Sequence, residues 1–523
     1  WLLLDADERL FEEDKGKLLE FIKDGSSDGA LFKIYSYVGD GSGCTVHNAL
    51  RLLKNDGSYR FKGDIHEQIE RIDGAPATGR FALSGIRLHH FGYLEEVLKK
   101  KNKRERNIPI LLRELEKDPD NAFMLFNLGN EYIALGDYSA AWGCYKKSMA
   151  LAKSHEAFCP HLYFRAAVCL QNMSKLKEAL SVLEKGLKLY PGCTDMEYLK
   201  GLIYSDLRLD LLAIKSFEKA IAMGEPHPTL AFSEGCATVK PLLALAEIYI
   251  RQKDYAAAEQ ACLKALSLDN KVYTALYKLG EIAKLKGDDE ESASKRPEGL
   301  FADLNRPANL ILLSDILLEK GFIGRAEEYI SSAMASSAHK PDLAVLKAKL
   351  HFLKGEYKDS LPLLEEFFES GAKPEVLLHL KGEAAALLSC VNLIKAFRGE
   401  EKGVYEILSP ALDNDKKLVL EQSMELIRGG SKNLLAGADA SKALEFFGDI
   451  LKRLIKRREF ELFEKLLYNY NYINSEKVLL HLAAVYHECG LSGLAASAVM
   501  RSAKEFGLVD AEGARILLDS LTG

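Results

Sequence analysis

The sequence predicts a mostly helical chain of two unlike parts. An α/β segment comes first, followed by an all-α superhelix of stacked helix pairs. Three observations point there. Residues 1 to about 95 alternate strand-like apolar and aromatic runs with Gly-rich turns. From about residue 106 the pattern turns to almost unbroken amphipathic helix. Within that helix small residues recur at a nearly constant spacing, the mark of a repeat array.

The N-terminal part opens on Trp1-Leu2-Leu3-Leu4-Asp5-Ala6-Asp7-Glu8, an apolar run that reads as the end of a buried strand and leads into a carboxylate pair. Carboxylates at a strand's C-terminal edge are placed to hold a hard divalent cation, which takes oxygen ligands and commonly a substrate phosphate. Leu18 to Ile22 belongs to an amphipathic helix, and Ala30 to Val38 is β-branched and aromatic enough to be a strand. Gly39 to Gly43 supplies a turn, and Ala49–Leu53 and Ala82–Leu88 read as further strands. Ile65-His66-Glu67-Gln68-Ile69 sets an acid and an imidazole between apolar residues, and His89-His90-Phe91-Gly92-Tyr93 closes the α/β part with more potential metal or phosphate contacts. Lys99 to Arg106 joins the halves as a solvated helix face or linker.

The helical part fits the tetratricopeptide template of Leu-Gly, then Tyr three residues on, then Ala and an aromatic in a second helix. Leu128-Gly129, Tyr132, Gly136, Ala141 and Tyr145 match it, as do Gly201, Tyr204, Ala213, Phe217 and Ala220, and Ala246, Tyr249, Ala258 and Ala265. The small residues Gly129, Ala167, Gly201, Ala246, Gly280, Ser314, Ala348 and Gly382 set the register, with steps of 38, 34, 45, 34, 34, 34 and 34. Glycine or alanine belongs there because two helices cross closely, with the aromatic filling the space one turn later. Two stretches break the pattern. Gly224-Glu225-Pro226-His227-Pro228 reads as a loop inside the long step, and Asp288 to Gly299 as a frayed helix or loop. Residues 390 to 475 lose the register, and Leu479 to Tyr486 with Leu494-Ala495-Ala496 resembles one late repeat. The expected domains are therefore 1–98 (α/β), 99–120 (linker helix), 121–390 (repeats) and 391–523 (degenerate helical repeats).

Composition narrows the function classes. A hydrophobic fraction of 48% and a charged fraction of 28% are ordinary for a globular protein. A net charge of -6 argues against a dedicated nucleic-acid binder, which carries a basic excess. No apolar run approaches the roughly 18 residues that span a bilayer. The nine cysteines are scattered without a C-x-x-C pair, so neither a zinc site nor a disulfide framework is expected, and a reducing cytoplasm fits best.

Trp1 to Glu8, Val46-His47-Asn48-Ala49-Leu50-Arg51-Leu52, Phe61 to Ile69 and His90-Phe91-Gly92-Tyr93, taken together, resemble the C-terminal half of a bacterial family 2 glycosyltransferase. These are inverting, nucleotide-sugar-dependent enzymes of the A-type fold, and the subgroup it resembles carries tetratricopeptide repeats directly behind the catalytic domain. The resemblance is detailed over roughly residues 1 to 100 and rests on the repeat pattern beyond them. It implies that Asp7 binds Mn2+ or Mg2+ on the donor's diphosphate, where the cation neutralises charge on the departing nucleoside diphosphate. Asp5 would contact the donor's ribose or sugar. Glu67 would be the base that deprotonates the acceptor, with His66 orienting it or touching phosphate. His90 would be a third metal ligand, and Arg51 and His47 would meet the diphosphate or acceptor or serve as strand-edge structure.

On this resemblance the family's N-terminal half, which holds the nucleotide pocket outside the strands' carboxyl ends, is expected to be missing from this chain. Residues 1 to 95 are accordingly expected to pack loosely, with the Leu2–Leu4 edge exposed, and this chain alone is expected to be inactive. The resemblance implies a peptide, protein or glycan acceptor, or a lipid-linked one. Phe123, Phe126, Asn130 and Ile133 are the residues expected to line the repeat groove, with packing against the catalytic part as their other reading. Phe126, Asp195 and Leu199 stand where a carboxylate clamp for peptide C-termini needs other residues, so no clamp is expected. The alternative function is a non-catalytic repeat scaffold that binds other proteins. A nucleic-acid-binding repeat protein would rest only on the Lys99–Arg106 run.

Overall fold

The structure, a computed structural model, describes residues 1–39, 43–62, 68–73, 80–94, 103–301, 303–335, 338–399 and 412–522. They form two compact units, Trp1–Lys271 and Val272–Gly523.

The first unit begins with β1 (Glu8–Leu10), α1 (Lys15–Asp24), β2 (Gly29–Gly39), β3 (Gly43–Leu53), β4 (Tyr59–Lys62), β5 (Gln68–Arg71) and β6 (Phe81–Leu94). Four strands make one sheet in the order β1-β6-β2-β3, and β4 and β5 form a separate antiparallel pair. In the larger sheet β2 runs parallel to β6, while β1–β6 and β2–β3 are antiparallel. Because side chains alternate across a strand, Ala30, Phe32 and Ile34 of β2 share one face with Ile86 and Leu88 of β6. All five are buried, under Leu18 and Phe21 of α1. Buried Asp14 ties the helix to the sheet by accepting from the Arg87 backbone at 2.9 Å and from its guanidinium at 2.7 Å.

Two expectations are corrected here. The described part of residues 1 to 95 has a closed core of its own, so it is not loosely packed. The opening run is not a buried strand either. Leu2 forms a single bridge with Leu52, and Leu3 N–H donates to the Arg51 carbonyl at 2.8 Å. Trp1, Leu2 and Leu4 remain exposed because this segment lies along the outer edge of β3, with solvent on its other side.

The repeat helices of this unit are α2 (Lys103–Lys117), α3 (Ala122–Ala134), α4 (Tyr138–Leu151), α5 (Cys159–Asn172), α6 (Leu176–Leu189), α7 (Thr194–Asp206), α8 (Asp210–Met223), α9 (Val239–Arg251) and α10 (Tyr255–Leu268). Asn121, Asp137 and Asp254 cap α3, α4 and α10 by accepting from the backbone N–H three residues on. The small register residues act as expected. A Cβ on Gly129 would lie 2.6 Å from the Tyr145 ring, and one on Gly201 2.6 Å from the Phe217 ring.

In the second unit lie α11 (Tyr273–Lys286), α12 (Glu290–Glu298), α13 (Pro307–Lys320), α14 (Ile323–Met334), α15 (Lys340–Lys354), α16 (Tyr357–Glu369), α17 (Leu380–Phe397), α18 (Asn414–Ile427), α19 (Ala440–Lys456), α20 (Phe460–Leu466), α21 (Val478–Glu488), α22 (Ser492–Phe506) and α23 (Ala511–Thr522). The α12 segment, expected to be frayed or a loop, is a helix. Asp289 caps it, and Ala293, Ser294 and Pro297 are buried. Its polar composition has a partner: Glu290 accepts from the backbone of Gly324 at 3.1 Å and Arg325 at 2.7 Å, satisfying the start of α14.

The backbone carries the same register independently. Gly136, Ser174, Arg208, Lys253, Gly287, Gly321 and Gly355 each lie seven residues after a register residue, and all have positive φ between 58° and 84°. The series stops there, because the position seven after Gly382 is Ser389, inside α17. No atom lies within 4 Å of a Cβ built on Gly382. Gly382 therefore does not serve the close helix crossing that the spacing assigned to it.

At the centre of this unit Lys349 is buried among carboxylates. Its ammonium donates to Asp315 at 2.9 Å and to Glu319, and Glu383 lies 3.6 Å away. Asp315 also accepts from Tyr277 and His379, which completes its satisfaction. Of the residues expected to line the repeat groove, Phe126 is buried, and Phe123, Asn130 and Ile133 are half-buried. Phe126 is buried against Phe123, Tyr145 and Phe158, and Asn130 accepts from the Tyr145 hydroxyl at 2.7 Å. No helix among the described residues is long and apolar enough to cross a membrane.

Candidate functional site

The N-terminal segment crosses the sheet from one edge to the other. Trp1–Leu3 lies beside β3, and Glu8–Leu10 pairs with β6, so Asp5 and Asp7 sit in the crossing. Two contacts hold it. Phe91 N–H donates to the Asp7 carbonyl at 2.9 Å, and Glu8 stands in register with His90. The carboxylates thereby meet the basic residues of β3 and β6.

Glu8 is almost completely buried, with a side chain 1% exposed, and is paid in charge by Arg51, whose Nε and Nη2 donate to its two oxygens at 2.8 and 2.6 Å. This fork-to-fork geometry is the strongest form of an ion pair. Asp5 lies at the margin, with Oδ2 3.4 Å from Arg51 Nη2 and a side chain 69% exposed. Arg51 is thus committed first to Glu8, a residue to which the sequence assigned no role.

Asp7 and His90 face each other deeper in. Asp7 Oδ1 is 3.6 Å from His90 Nε2, and both side chains are nearly buried. The other ring nitrogen, Nδ1, is 3.0 Å from the hydroxyl of buried Ser36. Space for the pair is preserved by Gly92: a Cβ there would lie 2.6 Å from His90 Nε2 and 2.7 Å from Asp7 Oδ2. Neither Ser36 nor the role of Gly92 was legible from the sequence. A serine in an apolar strand reads as filler, and only the β2–β6 register, Ser36 opposite His90, brings the two together.

His47 follows on β3, opposite Ile34. Burial and then the positive charge of Arg51 push its pKa down to about 4, with Glu8 acting the other way, so at neutral pH it is an uncharged imidazole. His66 and Glu67, expected to act in acid–base chemistry, lie outside the described residues.

Asp7 and His90 fit a divalent cation. Ligand atoms 3.6 Å apart lie within the spread that bonds of about 2.1 Å to one ion allow. The Ser36 hydroxyl on Nδ1 holds the ring with Nε2 turned toward Asp7, the usual outer-shell arrangement for a ligating histidine. One carboxylate with one imidazole favours a first-row transition ion such as Mn2+ over Mg2+, which prefers oxygen alone. Elsewhere among the described residues, His351, Glu356 and Asp359 come within ligating distance of one another on the surface.

The tetratricopeptide repeat family matches at residues 124–155, 160–193 and 239–272. Over 209 residues the chain is 25% identical to the SPbeta prophage-derived glycosyltransferase SunS of Bacillus subtilis, covering 39% of this chain and 48% of that protein. The SunS glycosyltransferase of Bacillus phage SPbeta matches to the same extent. The TPR repeat-containing protein MJ1428 of Methanocaldococcus jannaschii is 29% identical over 160 residues, 30% of this chain and 25% of that one. The chain spans about half the length of the SunS proteins it matches. Among solved structures, a tetratricopeptide repeat protein from Parabacteroides merdae aligns with 50% of this chain and 98% of its own, at 18% identity and a TM-score of 0.30. MamA aligns with 33% of this chain and 93% of its own, at 21% identity and a TM-score of 0.29.

Proposed function

We propose that this chain belongs to a metal-dependent glycosyltransferase that moves a sugar from a nucleotide-sugar donor to an acceptor, with the repeats binding the acceptor or a protein partner. Tetratricopeptide repeats and weak homology to a glycosyltransferase over part of the chain stand behind this reading. The observation that carries it is the Asp7–His90 pair, backed by Ser36 and kept open by Gly92.

In this reading Asp7 and His90 would hold Mn2+ or Mg2+, which when bound supplies positive charge to stabilise the departing nucleoside diphosphate. Ser36 orients His90, and Glu8 with Arg51 holds the crossing segment so that Asp7 keeps its place. Asp5, exposed at the margin, is assigned to the donor's ribose or sugar hydroxyls. Glu67 is assigned as the base that takes the proton from the acceptor, on the face opposite the leaving group as inversion requires, and His66 as its neighbour. The acceptor is a glycan, a peptide or a lipid-linked sugar. The second reading, a non-catalytic scaffold, is favoured by the intact register from Gly129 to Ala348, which needs no catalysis to explain it.

The test is release of nucleoside diphosphate from a panel of nucleotide sugars by the intact protein with Mn2+, compared with Asp7→Asn and Glu67→Gln. Loss in both variants supports the transferase. Equal release in all three proteins would remove both residue assignments, and no release from any donor would favour the scaffold.

A further inference from the structure

The long step between Gly201 and Ala246 is more than a surface loop. The residues between α8 and α9 reach the sheet. The short 3-10 turn Pro228–Leu230 packs against β3, and Glu234 lies 3.6 Å from Lys33 of β2. The other side of the segment is rooted in the repeats. Phe232 is buried in their core, and its N–H donates to buried Asp195 of α7 at 3.1 Å. Its ring stacks on His161 of α5 with centroids 4.1 Å apart and leans on Phe164 at 5.1 Å. The Cys193 thiol, just ahead of α7, donates to the Leu230 carbonyl at 3.5 Å. Leu230, Phe232 and Glu234 thus form a strut with α5 and α7 on one side and the sheet on the other.

Support of this kind matters at β3. It stands at the end of the sheet order, so among the described strands β2 alone pairs with it along its length. A strand held from one side opens more readily than a central one. Yet β3 anchors the crossing segment. Leu3 N–H donates to the Arg51 carbonyl at 2.8 Å, and Leu53 N–H donates to the Trp1 carbonyl at 2.9 Å. Arg51 also clamps Glu8, the residue next to Asp7. A shift of β3 would therefore pull on Asp7, whereas His90 is set in β6. The 3.6 Å between Asp7 and His90 depends on both strands, and a site is only as exact as the elements that carry it.

We propose that the strut supports β3 and that Phe232 is its positioning residue: by holding the strand it keeps Arg51 on Glu8, and so keeps Asp7 opposite His90. The last step rests on the reading of Asp7 and His90 as a cation site. A residue buried in the repeat core thereby sets cation affinity on the sheet without touching the ion.

The experiment compares the full chain with its Phe232→Leu, Asp195→Ala, Phe232→Tyr and Gly129→Ala variants, by amide hydrogen exchange and by Mn2+ titration. Phe232→Leu keeps an apolar side chain in the core but loses the ring stack. Asp195→Ala removes the other anchor and leaves that ring in place. Each is expected to speed exchange in β3 and to weaken Mn2+ about tenfold, the lower end of what losing a ligand's support costs, at a temperature where the melt shows the chain folded. Phe232→Tyr keeps the ring and should retain most of the wild-type affinity. Gly129→Ala strains the α3–α4 crossing instead and should leave β3 exchange and Mn2+ affinity unchanged. Wild-type exchange and affinity in both strut variants would overturn the proposal. So would faster β3 exchange with unchanged Mn2+ affinity, which leaves the strut a structural role only. Equal losses in Gly129→Ala would also overturn it, by making the effect one of overall stability. If the wild type binds no Mn2+, the cation reading falls by itself, and β3 exchange in the strut variants still decides whether Phe232 holds that strand.

Discussion

The imidazole of His90 is held between two partners, with Nε2 3.6 Å from Asp7 Oδ1 and Nδ1 3.0 Å from the Ser36 hydroxyl. The serine holds the direction of the ring, with Nε2 turned toward Asp7. Asp7→Asn or His90→Gln should abolish tight Mn2+ binding, read as loss of the free-ion signal in electron paramagnetic resonance titrations. Ser36→Ala should weaken it about 10- to 100-fold, the usual effect of removing a histidine's outer partner. Unchanged Mn2+ binding in Asp7→Asn would mean the ion sits elsewhere.

Gly92 gives a sharper probe, because only one methyl group is added. Its Cβ would intrude on both His90 Nε2 and Asp7 Oδ2. Gly92→Ala should therefore lose Mn2+ binding while its thermal midpoint stays close to wild type. A variant that binds the ion normally would show that the space between the two side chains is not used.

The repeat register makes a paired prediction. Gly129→Ala and Gly201→Ala drive a methyl into Tyr145 and Phe217, an overpacking that costs about 1–3 kcal/mol. Gly382→Ala meets nothing within 4 Å and replaces glycine with a better helix former, so stability should be unchanged or raised. Urea unfolding of the three variants checks this. A Gly382→Ala loss equal to that of Gly129→Ala would restore Gly382 to the register.

Around Lys349 the expectation is electrostatic. Lys349→Ala leaves Asp315 buried without its cation and should cost about 3–5 kcal/mol. The hydrogen bond that His379 donates to Asp315 raises the pKa of His379 above its ordinary 6.5. The folded state thus holds that proton more tightly than the unfolded chain. Its stabilisation is complete below pH 6.5 and fades as pH rises through the raised value. Thermal midpoints of wild type and His379→Asn should differ most in mild acid and converge as pH rises above the raised value. A gap independent of pH would assign His379 a packing role only.

Much of the repeat array was legible because its determinants are close in sequence. Gly129 and Tyr145, or Gly201 and Phe217, are neighbours within one helix pair, so spacing alone finds them. The positive-φ series seven residues later confirms the same phase where the residue is serine, arginine or lysine instead of glycine, which composition does not reveal. The α12 helix escaped notice because its polar residues look like a loop until Glu290 is seen capping α14.

The site was legible only as a set of candidates. Asp7, His90, Arg51 and His47 were all named, yet which of them meet depends on strand register between distant segments. Arg51 was read either as a contact for the diphosphate or acceptor or as strand-edge structure, and its guanidinium clamps Glu8. Ser36 lacked any local signal, and the segment that begins with the Gly224–Pro228 loop carries contacts to β3 and to His161 of α5.

The central claim is that the Asp7–His90 pair serves sugar transfer. The most direct measurement is Mn2+-dependent release of nucleoside diphosphate from nucleotide sugars by the intact protein, followed with Asp7→Asn alongside. Release that requires Mn2+ and disappears in Asp7→Asn is the predicted result. Release that persists unchanged in Asp7→Asn, or after the metal is chelated, would contradict it.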